Sequence, residues 1–207
     1  MKAEFIKSAS NYRDCIVSDL PQIAVAGKSN SGKSSFINLL MNSNLARTSR
    51  EPGRTRLINY FLIDEKYFLT DLPGYGYAKV SLAEKKKWGE LIEEYLEKEK
   101  MLLHLFFLID IRRDPTHDDV LLLNYLYKRG LGFTLIATKA DKIAKSKIFA
   151  EKQRLASLFK IGRDDIIATS AETKYGREET LARLDRIIAS ARLDETELER
   201  MEEDDRI

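Results

Sequence analysis

Gly27-Lys-Ser-Asn-Ser-Gly-Lys-Ser34 is the stretch that decides the fold of this chain. It fits the phosphate-loop pattern G-x-x-x-x-G-K-[ST] at every fixed position. A turn of small residues can point successive backbone N–H groups inward, toward the concentrated negative charge of a polyphosphate. Gly27 and Gly32 are expected to supply backbone angles that a side chain would block. Lys33 can reach the outer phosphates, and the Ser34 hydroxyl can ligate Mg²⁺. The flanks agree. Gln22-Ile-Ala-Val-Ala26 reads as a strand entering the loop, and Ser35-Phe-Ile-Asn-Leu-Leu-Met41 carries Phe36, Leu39 and Leu40 at helical spacing. The motif needs strand, loop and helix in that order, because the helix N-terminus adds its dipole to the phosphate site.

Outward from the loop, strands and helices alternate. A short strand is expected around residues 4–7. Residues 42–57 are polar and Arg-rich, with Pro52-Gly53, and predict a mobile loop. Residues 58–63 and 67–70 flank Asp64-Glu65-Lys66 and predict a β-hairpin. Trp88, Leu91, Ile92, Tyr95 and Leu96 share one face of a helix over 83–100. Residues 102–110 form a nearly unbroken apolar run, the mark of a strand covered on both sides. A helix over 118–129 stops at Gly130. A buried strand over 133–138, a helix over 146–160, a short strand over 165–169 and a last packed helix over 178–192 follow. The fold class is α/β: a mostly parallel sheet of six to seven strands, one antiparallel edge strand, and helices on both faces. One domain covers residues 1–193, and 194–207 read as a flexible acidic tail.

Composition bounds the function. The 207 residues, 43% hydrophobic and 33% charged, suit one globular domain. No apolar run reaches membrane-spanning length; the run at 102–111 is short and interrupted by His104. The N-terminus shows no signal-peptide segment. Cys15 is the single cysteine, so no intrachain disulfide can form, which fits a reducing cytoplasm. The net charge is +2, but residues 194–207 hold eight acids and two arginines, leaving a body with 33 basic and 25 acidic residues. A basic body suits a polyanionic partner, and solvated surface charge explains it as well.

Short polar motifs recur where the parallel strands end, the edge at which ligands of such sheets bind. At Asp71-x-x-Gly74 an acid can hold the hydration shell of Mg²⁺, and the Gly74 N–H can bond a γ-phosphate. At Thr138-Lys-Ala-Asp141 one carboxylate can accept from both N1–H and the N2 amine of guanine. Adenine lacks that pair of donors and would leave a buried Asp141 unpaired. The Lys139 stem can cover the base face, and the Ala171 N–H of Ser170-Ala171 can bond guanine O6.

These motifs resemble those of translation-factor-like GTPases. Gly27–Ser34, Pro52-Gly-Arg-Thr-Arg-Leu-Ile-Asn59, Asp71-Leu-Pro-Gly-Tyr-Gly-Tyr-Ala78, Asp114-Pro-Thr116 and Thr138–Asp141 together resemble the EngB family (also called YihA or YsxC) of bacterial GTP-binding proteins, over about residues 21–190. The resemblance implies a P-loop GTPase fold and hydrolysis of GTP to GDP and phosphate with Mg²⁺. It also implies a cytoplasmic, monomeric switch with no membrane partner, a role in assembly of the large (50S) ribosomal subunit through its rRNA and proteins, and a need for it in normal cell division and septation. The nucleotide contacts it implies are Gly27, Lys28, Ser29, Asn30, Ser31, Gly32, Lys33, Ser34 and Ser35 in the first loop, and Gly53, Arg54, Thr55, Arg56 and Leu57 in the first switch. They continue with Asp71, Leu72, Pro73 and Gly74, then Thr138, Lys139, Ala140 and Asp141, then Thr169, Ser170 and Ala171. Lys33, Thr55 and Gly74 would be catalytic, and Ser34, Thr55 and Asp71 would serve the metal. Asn30 matches an asparagine that helps hold K⁺ in related potassium-stimulated GTPases; a turn-forming asparagine explains it equally well.

Two positions depart from the wider superfamily. Thr138 replaces the usual asparagine, which is expected to weaken contacts to the base and the first loop. Tyr75 replaces the glutamine that orients the attacking water in Ras-like proteins, so slow intrinsic hydrolysis is expected, raised by a partner or by K⁺. With the γ-phosphate bound, residues 44–57 and 72–82 would become ordered. Arg47, Arg50, Arg54 and Arg56, with Lys79 and Lys85-Lys86-Lys87, would form an RNA-binding face if they share one side. Tyr75 and Tyr77 could stack on bases or simply pack. His104 and His117 have no partners at zinc spacing, and Asp114, Asp118 and Asp119 resemble helix-start acids. Two rival readings stand beside this one: an ATP-dependent P-loop kinase, which leaves Asp141 and Ser170-Ala171 unexplained, and a division-associated scaffold that binds GTP with little turnover.

Overall fold

Apolar residues spaced by two along the strands and by three or four along the helices fold onto one central sheet. The computed structural model describes residues 1–46, 57–75 and 82–204; the side chains of 82–88 and 192–204 lie outside the described set. In chain order come β1 (Ala3–Ala9), β2 (Gln22–Gly27), α1 (Lys33–Met41), β3 (Ile58–Ile63), β4 (Tyr67–Asp71) and α2 (Leu82–Lys98). They are followed by β5 (Leu102–Asp110), α3 (His117–Arg129), β6 (Gly132–Thr138), α4 (Ile148–Phe159), β7 (Ile166–Ala168) and α5 (Arg177–Asp204).

The seven strands lie in the order β1-β3-β4-β2-β5-β6-β7. All pair in parallel except β3, which runs antiparallel to β4 on one side and β1 on the other. The expected hairpin is therefore present, and β1 covers the outer side of its reversed strand. Its turn puts Asp64 at φ 49° and Glu65 at φ 58°, the left-handed pair that matches the twist of paired strands.

Each central strand buries both faces, alternating residue by residue. Ile23 and Val25 of β2 join Phe106, Leu108 and Ile136 against α1 and α5. Ala24 and Ala26 join Leu105, Phe107 and Leu135 against α2, α3 and α4. The α2 stripe contributes buried Leu91, Ile92, Tyr95 and Leu96. Gly130, at φ 64°, ends α3 as expected. The last helix does not stop near Arg192; it continues to Asp204 through the acidic stretch. That stretch contains neither Gly nor Pro and holds five glutamates, which favour helix. Among the described residues, no helix is long and apolar enough to cross a membrane.

This topology builds one polar edge. Gly27, Asp71, Asp110 and Thr138 are the last residues of β2, β4, β5 and β6. These four strands run the same way, so their carboxyl ends emerge together.

Candidate functional site

The loop after β2 is shaped by two glycines with different tasks. Gly32 is at φ 93° and forms the N-cap of α1, a backbone region that side chains disfavour. Gly27 answers a different need from the one expected: a Cβ there would sit 2.7 Å from Ser31 Oγ and 2.8 Å from the Leu108 carbonyl oxygen. The lack of space, not the torsion, requires glycine. Asn30 is at φ 66°, so it does form a turn. No side chain caps the α1 N-terminus, and its first N–H groups face the same region as the loop.

Lys33 is 7% exposed and its ammonium is ion-paired with Asp71, which is 2% exposed. Asn59 Nδ2 donates to the other Asp71 oxygen at 3.4 Å. The loop after β4 then lies directly on the first loop. A Cβ on Gly74 would be 3.3 Å from Ser29 Cα, and Ser29 N donates to the Tyr75 carbonyl at 2.8 Å. Leu72 is fully buried in the core, with its N–H on the Val25 carbonyl, and Pro73 is buried as well.

Tyr75 is held. Its hydroxyl donates to Asp119 Oδ1 at 2.6 Å. Burial, followed by the charge of Asp119, keeps the phenol well above its ordinary pKa. The other Asp119 oxygen accepts from the Thr116 N–H at 2.7 Å and the Thr116 hydroxyl at 2.6 Å, closing a capping box on α3. Tyr75 is thus occupied by packing and is not available to stack on a base. Asp119 is a helix-start acid as expected, whereas Asp114 lies outside α3 and pairs with Arg154.

The base end rests on the β6 and β7 loops. The Thr138 hydroxyl lies 2.5 Å from the Ser31 carbonyl and 3.0 Å from the Ile109 carbonyl. Threonine therefore keeps the contact to the first loop that its replacement of asparagine was expected to weaken. Lys139, at φ 61°, stretches back so that Nζ donates to the Asn30 carbonyl at 2.8 Å. Asp141 Oδ1 accepts from Ser170 Oγ at 2.7 Å, and Oδ2 faces Lys142 Nζ at 2.9 Å. Burial works to raise the Asp141 carboxyl, but the hydrogen bonds from Ser170 and Lys142 outweigh it and hold the group below its usual range. Ala140 N and Thr169 O join the two loops at 3.0 Å. Gly32, Ser35 and Phe36 face Thr138, Lys139, Asp141, Thr169 and Ala171 across one cleft. A flat ring in this cleft would meet a carboxylate, a lysine stem and the start of α1.

Gly53, Arg54, Thr55 and Arg56 lie outside the described residues, as do Arg47, Arg50, Tyr77 and Lys79 and the side chains of Lys85, Lys86 and Lys87. Leu57, just before β3, is 37% exposed. For Mg²⁺ the donors fit: the Asp71 carboxylate and the Ser34 hydroxyl are hard oxygens beside Lys33. Mg²⁺ keeps several waters and needs only one or two protein ligands alongside substrate phosphates.

Sequence reasoning missed three residues. Asp110 closes β5 at the polar edge, 3% exposed; an acid ending an apolar strand was its visible signal. Gly176, at φ 74°, would bring a Cβ within 2.0 Å of the Ala168 carbonyl. Next to it, Arg177 donates to the Leu39 and Leu40 carbonyls at 2.8 and 3.1 Å, tying α5 to the C-terminal end of α1.

The sequence model of a family described as "50S ribosome-binding GTPase" matches residues 22–139. A probable GTP-binding protein EngB of Thermoanaerobacter pseudethanolicus is 47% identical over 180 residues, 86% of this chain and 94% of that protein. One of Streptococcus sanguinis is 46% identical over 176 residues, 84% of this chain and 90% of that protein. Among solved structures, a probable GTP-binding protein engB superposes with a TM-score of 0.68 at 21% identity, covering 82% of this chain and 99% of that one.

Proposed function

This chain belongs to the EngB family of GTP-binding GTPases, and from that premise we propose that it is a slow GTP-driven switch acting in the cytoplasm on assembly of the large ribosomal subunit. The observation that carries guanine recognition is Asp141. Its carboxylate is kept ionised by Ser170 and Lys142 and lines a cleft that opens onto the first loop. A donor pair such as N1–H and N2 of guanine satisfies it, whereas adenine does not.

The reaction is GTP + H₂O → GDP + phosphate. Lys33 exchanges Asp71 for the β,γ-phosphates, where the first-loop amides and the α1 N-terminus also stabilise charge. Ser34 and Asp71 would hold Mg²⁺, with Thr55 joining them; bound there, the ion neutralises charge on the β- and γ-oxygens. The Gly74 N–H would bond the γ-phosphate, drawing its loop inward, and hydrolysis would release it. Tyr75 cannot orient water as a glutamine does, because its hydroxyl is committed to Asp119. That favours slow intrinsic turnover, raised by a partner or by K⁺ at Asn30.

The ribosomal role is supported by the description of the matching family, and a need in cell division would follow from impaired subunit supply. The arginines of the first switch and the lysines flanking the second would present a nucleotide-dependent surface to rRNA. Co-sedimentation with 50S particles at several salt concentrations tests this. Binding should be stronger with a non-hydrolysable GTP analogue than with GDP and should fall steeply with salt. Association that ignores the nucleotide would favour the scaffold reading instead.

A further inference from the structure

Among the described residues, the Asp110 carboxylate is the most heavily engaged acid at the polar edge, yet it occupies no place in the GTPase motifs above. Arg112 reaches it three ways: its N–H at 3.1 Å and Nε at 2.9 Å to Oδ1, and Nη2 at 2.7 Å to Oδ2. Lys139 Nζ lies 3.2 Å from Oδ2 while donating to the Asn30 carbonyl at 2.8 Å. Burial works to raise this carboxyl, and the hydrogen bonds from Arg112 and Lys139 overcome it, leaving the group well below its usual range.

We propose that Asp110 is a positioning residue for nucleotide binding: locked by Arg112, it anchors the Lys139 ammonium on the first loop and so fixes the lysine stem as one wall of the base cleft. A lysine ammonium is a mobile point charge on four flexible carbons. Near a polyphosphate, and with Asp141 and Glu172 close by on Lys142, it has several competing anions. A buried carboxylate that cannot itself move decides the competition. The stem then runs past Gly32, where Lys139 Cε is 3.7 Å from the position of a Cβ. Thr138, bonded to the Ser31 carbonyl, and Lys139, bonded to the Asn30 carbonyl, thereby clasp the guanine loop to the phosphate loop at two adjacent points. Asp110 secures the second.

The inference rests on Thr138–Asp141 being the base-recognition loop. Its test is a mutant cycle on the full chain, read by titration with a fluorescent GDP and by thermal melting. Asp110→Asn should weaken GDP and GTP alike by about tenfold, the usual consequence of losing one partner of a buried, charge-assisted hydrogen bond. Lys139→Met keeps the stem but removes the ammonium and should lose a similar amount. The double variant should be no weaker than either single one, because both remove the same link. Arg112→Gln, at a side chain 44% exposed, folds readily and should give a smaller loss in the same direction. A purely structural role for Asp110 would lower the melting temperature with affinity unchanged, or give losses that add in the double variant; either result overturns the proposal. Asp141→Asn run in parallel keeps the two readings apart. If it alters base preference while Asp110→Asn changes nothing, the guanine loop stands and only the anchoring role fails.

Discussion

The two ends of the cleft are built differently. At the base end, each polar group that matters is already fixed by a neighbour outside the motif: Thr138 by two carbonyls, Lys139 by Asn30 and Asp110, Asp141 by Ser170 and Lys142. At the phosphate end, the two key charges are fixed by each other. Lys33 and Asp71 are both buried and form one ion pair, and under the proposed function phosphate and Mg²⁺ would each take one of them. In the proposed reaction the base end would be met with its polar groups already held by neighbours, whereas phosphate binding would begin by separating a buried pair. That is the division of labour expected of a switch: a rigid reader of identity beside a responsive reader of phosphorylation state.

The largest expected effect tests the rigid side. Asp141→Asn should weaken GTP by at least about 100-fold, since a site built around a hydrogen-bonding carboxylate rejects what it cannot pair with. Xanthine nucleotides, which present an acceptor at C2, should bind better than GTP to the variant. The comparison adds a sharper requirement: the loss must be equal for GTP and GDP, because the base end does not sense the γ-phosphate. Competition titrations measure this directly. A loss confined to the triphosphate would mean that the two ends are one mechanical unit.

The sequence made the base end harder to read than the phosphate end, for a physical reason. The first loop is local: glycines, Lys33 and Ser34 fall within eight residues, and both flanks have clear periodicity. The sheet was equally open to reading, because strands buried on both faces, such as β5, show as unbroken apolar runs. Asn30 meets Lys139 across 109 residues of chain, and no local spacing encodes such a contact. Thr138 misled for a related cause. Its replacement of asparagine reads as a loss, but the β6 end lies close enough to Ser31 for a short hydroxyl to reach. Gly27 shows the same limit, since a need for room under Leu108 looks identical in sequence to a need for an unusual torsion. The helix beyond Arg192 was hidden by its charge, which suggests disorder although its residues favour helix.

Acid offers a way to weaken the shared scaffold without touching either end. His104 on β5 is 8% exposed, with Nε2 2.9 Å from the Thr134 hydroxyl. Burial, assisted by the charge of Arg183, lowers its pKa from 6.5 to about 4. The unfolded chain therefore takes up a proton more readily than the folded one between those values. The contribution of neutral His104 is complete above pH 6.5 and is lost as the pH falls toward 4. The full difference amounts to about 3 kcal/mol. Denaturant unfolding across this range should show the decline, and His104→Gln, which keeps a polar partner for Thr134, should flatten it. Asp110 and Asp141, whose values are depressed, hold their contributions to lower pH. The GTP-to-GDP affinity ratio should stay constant until the fold itself gives way.

The smallest effect addresses the responsive side alone. Tyr75→Phe removes the hydrogen bond to Asp119 but leaves that carboxylate with the Thr116 N–H and hydroxyl, so no buried charge is stranded. The cost should be about 1 kcal/mol of folding stability, the usual net value of one such bond. Tyr75 also contacts the first loop through its backbone, with Ser29 N on its carbonyl, and phenylalanine preserves that contact. Guanine-over-adenine preference should therefore be unchanged, while the loop carrying Gly74 loses its tether to α3. Hydrogen exchange at Gly74 and Tyr75 should quicken in the variant with exchange at Asp141 unaltered. If Asp141 also loosened, the tether would span both ends of the cleft, and the rigid reader would depend on the responsive one.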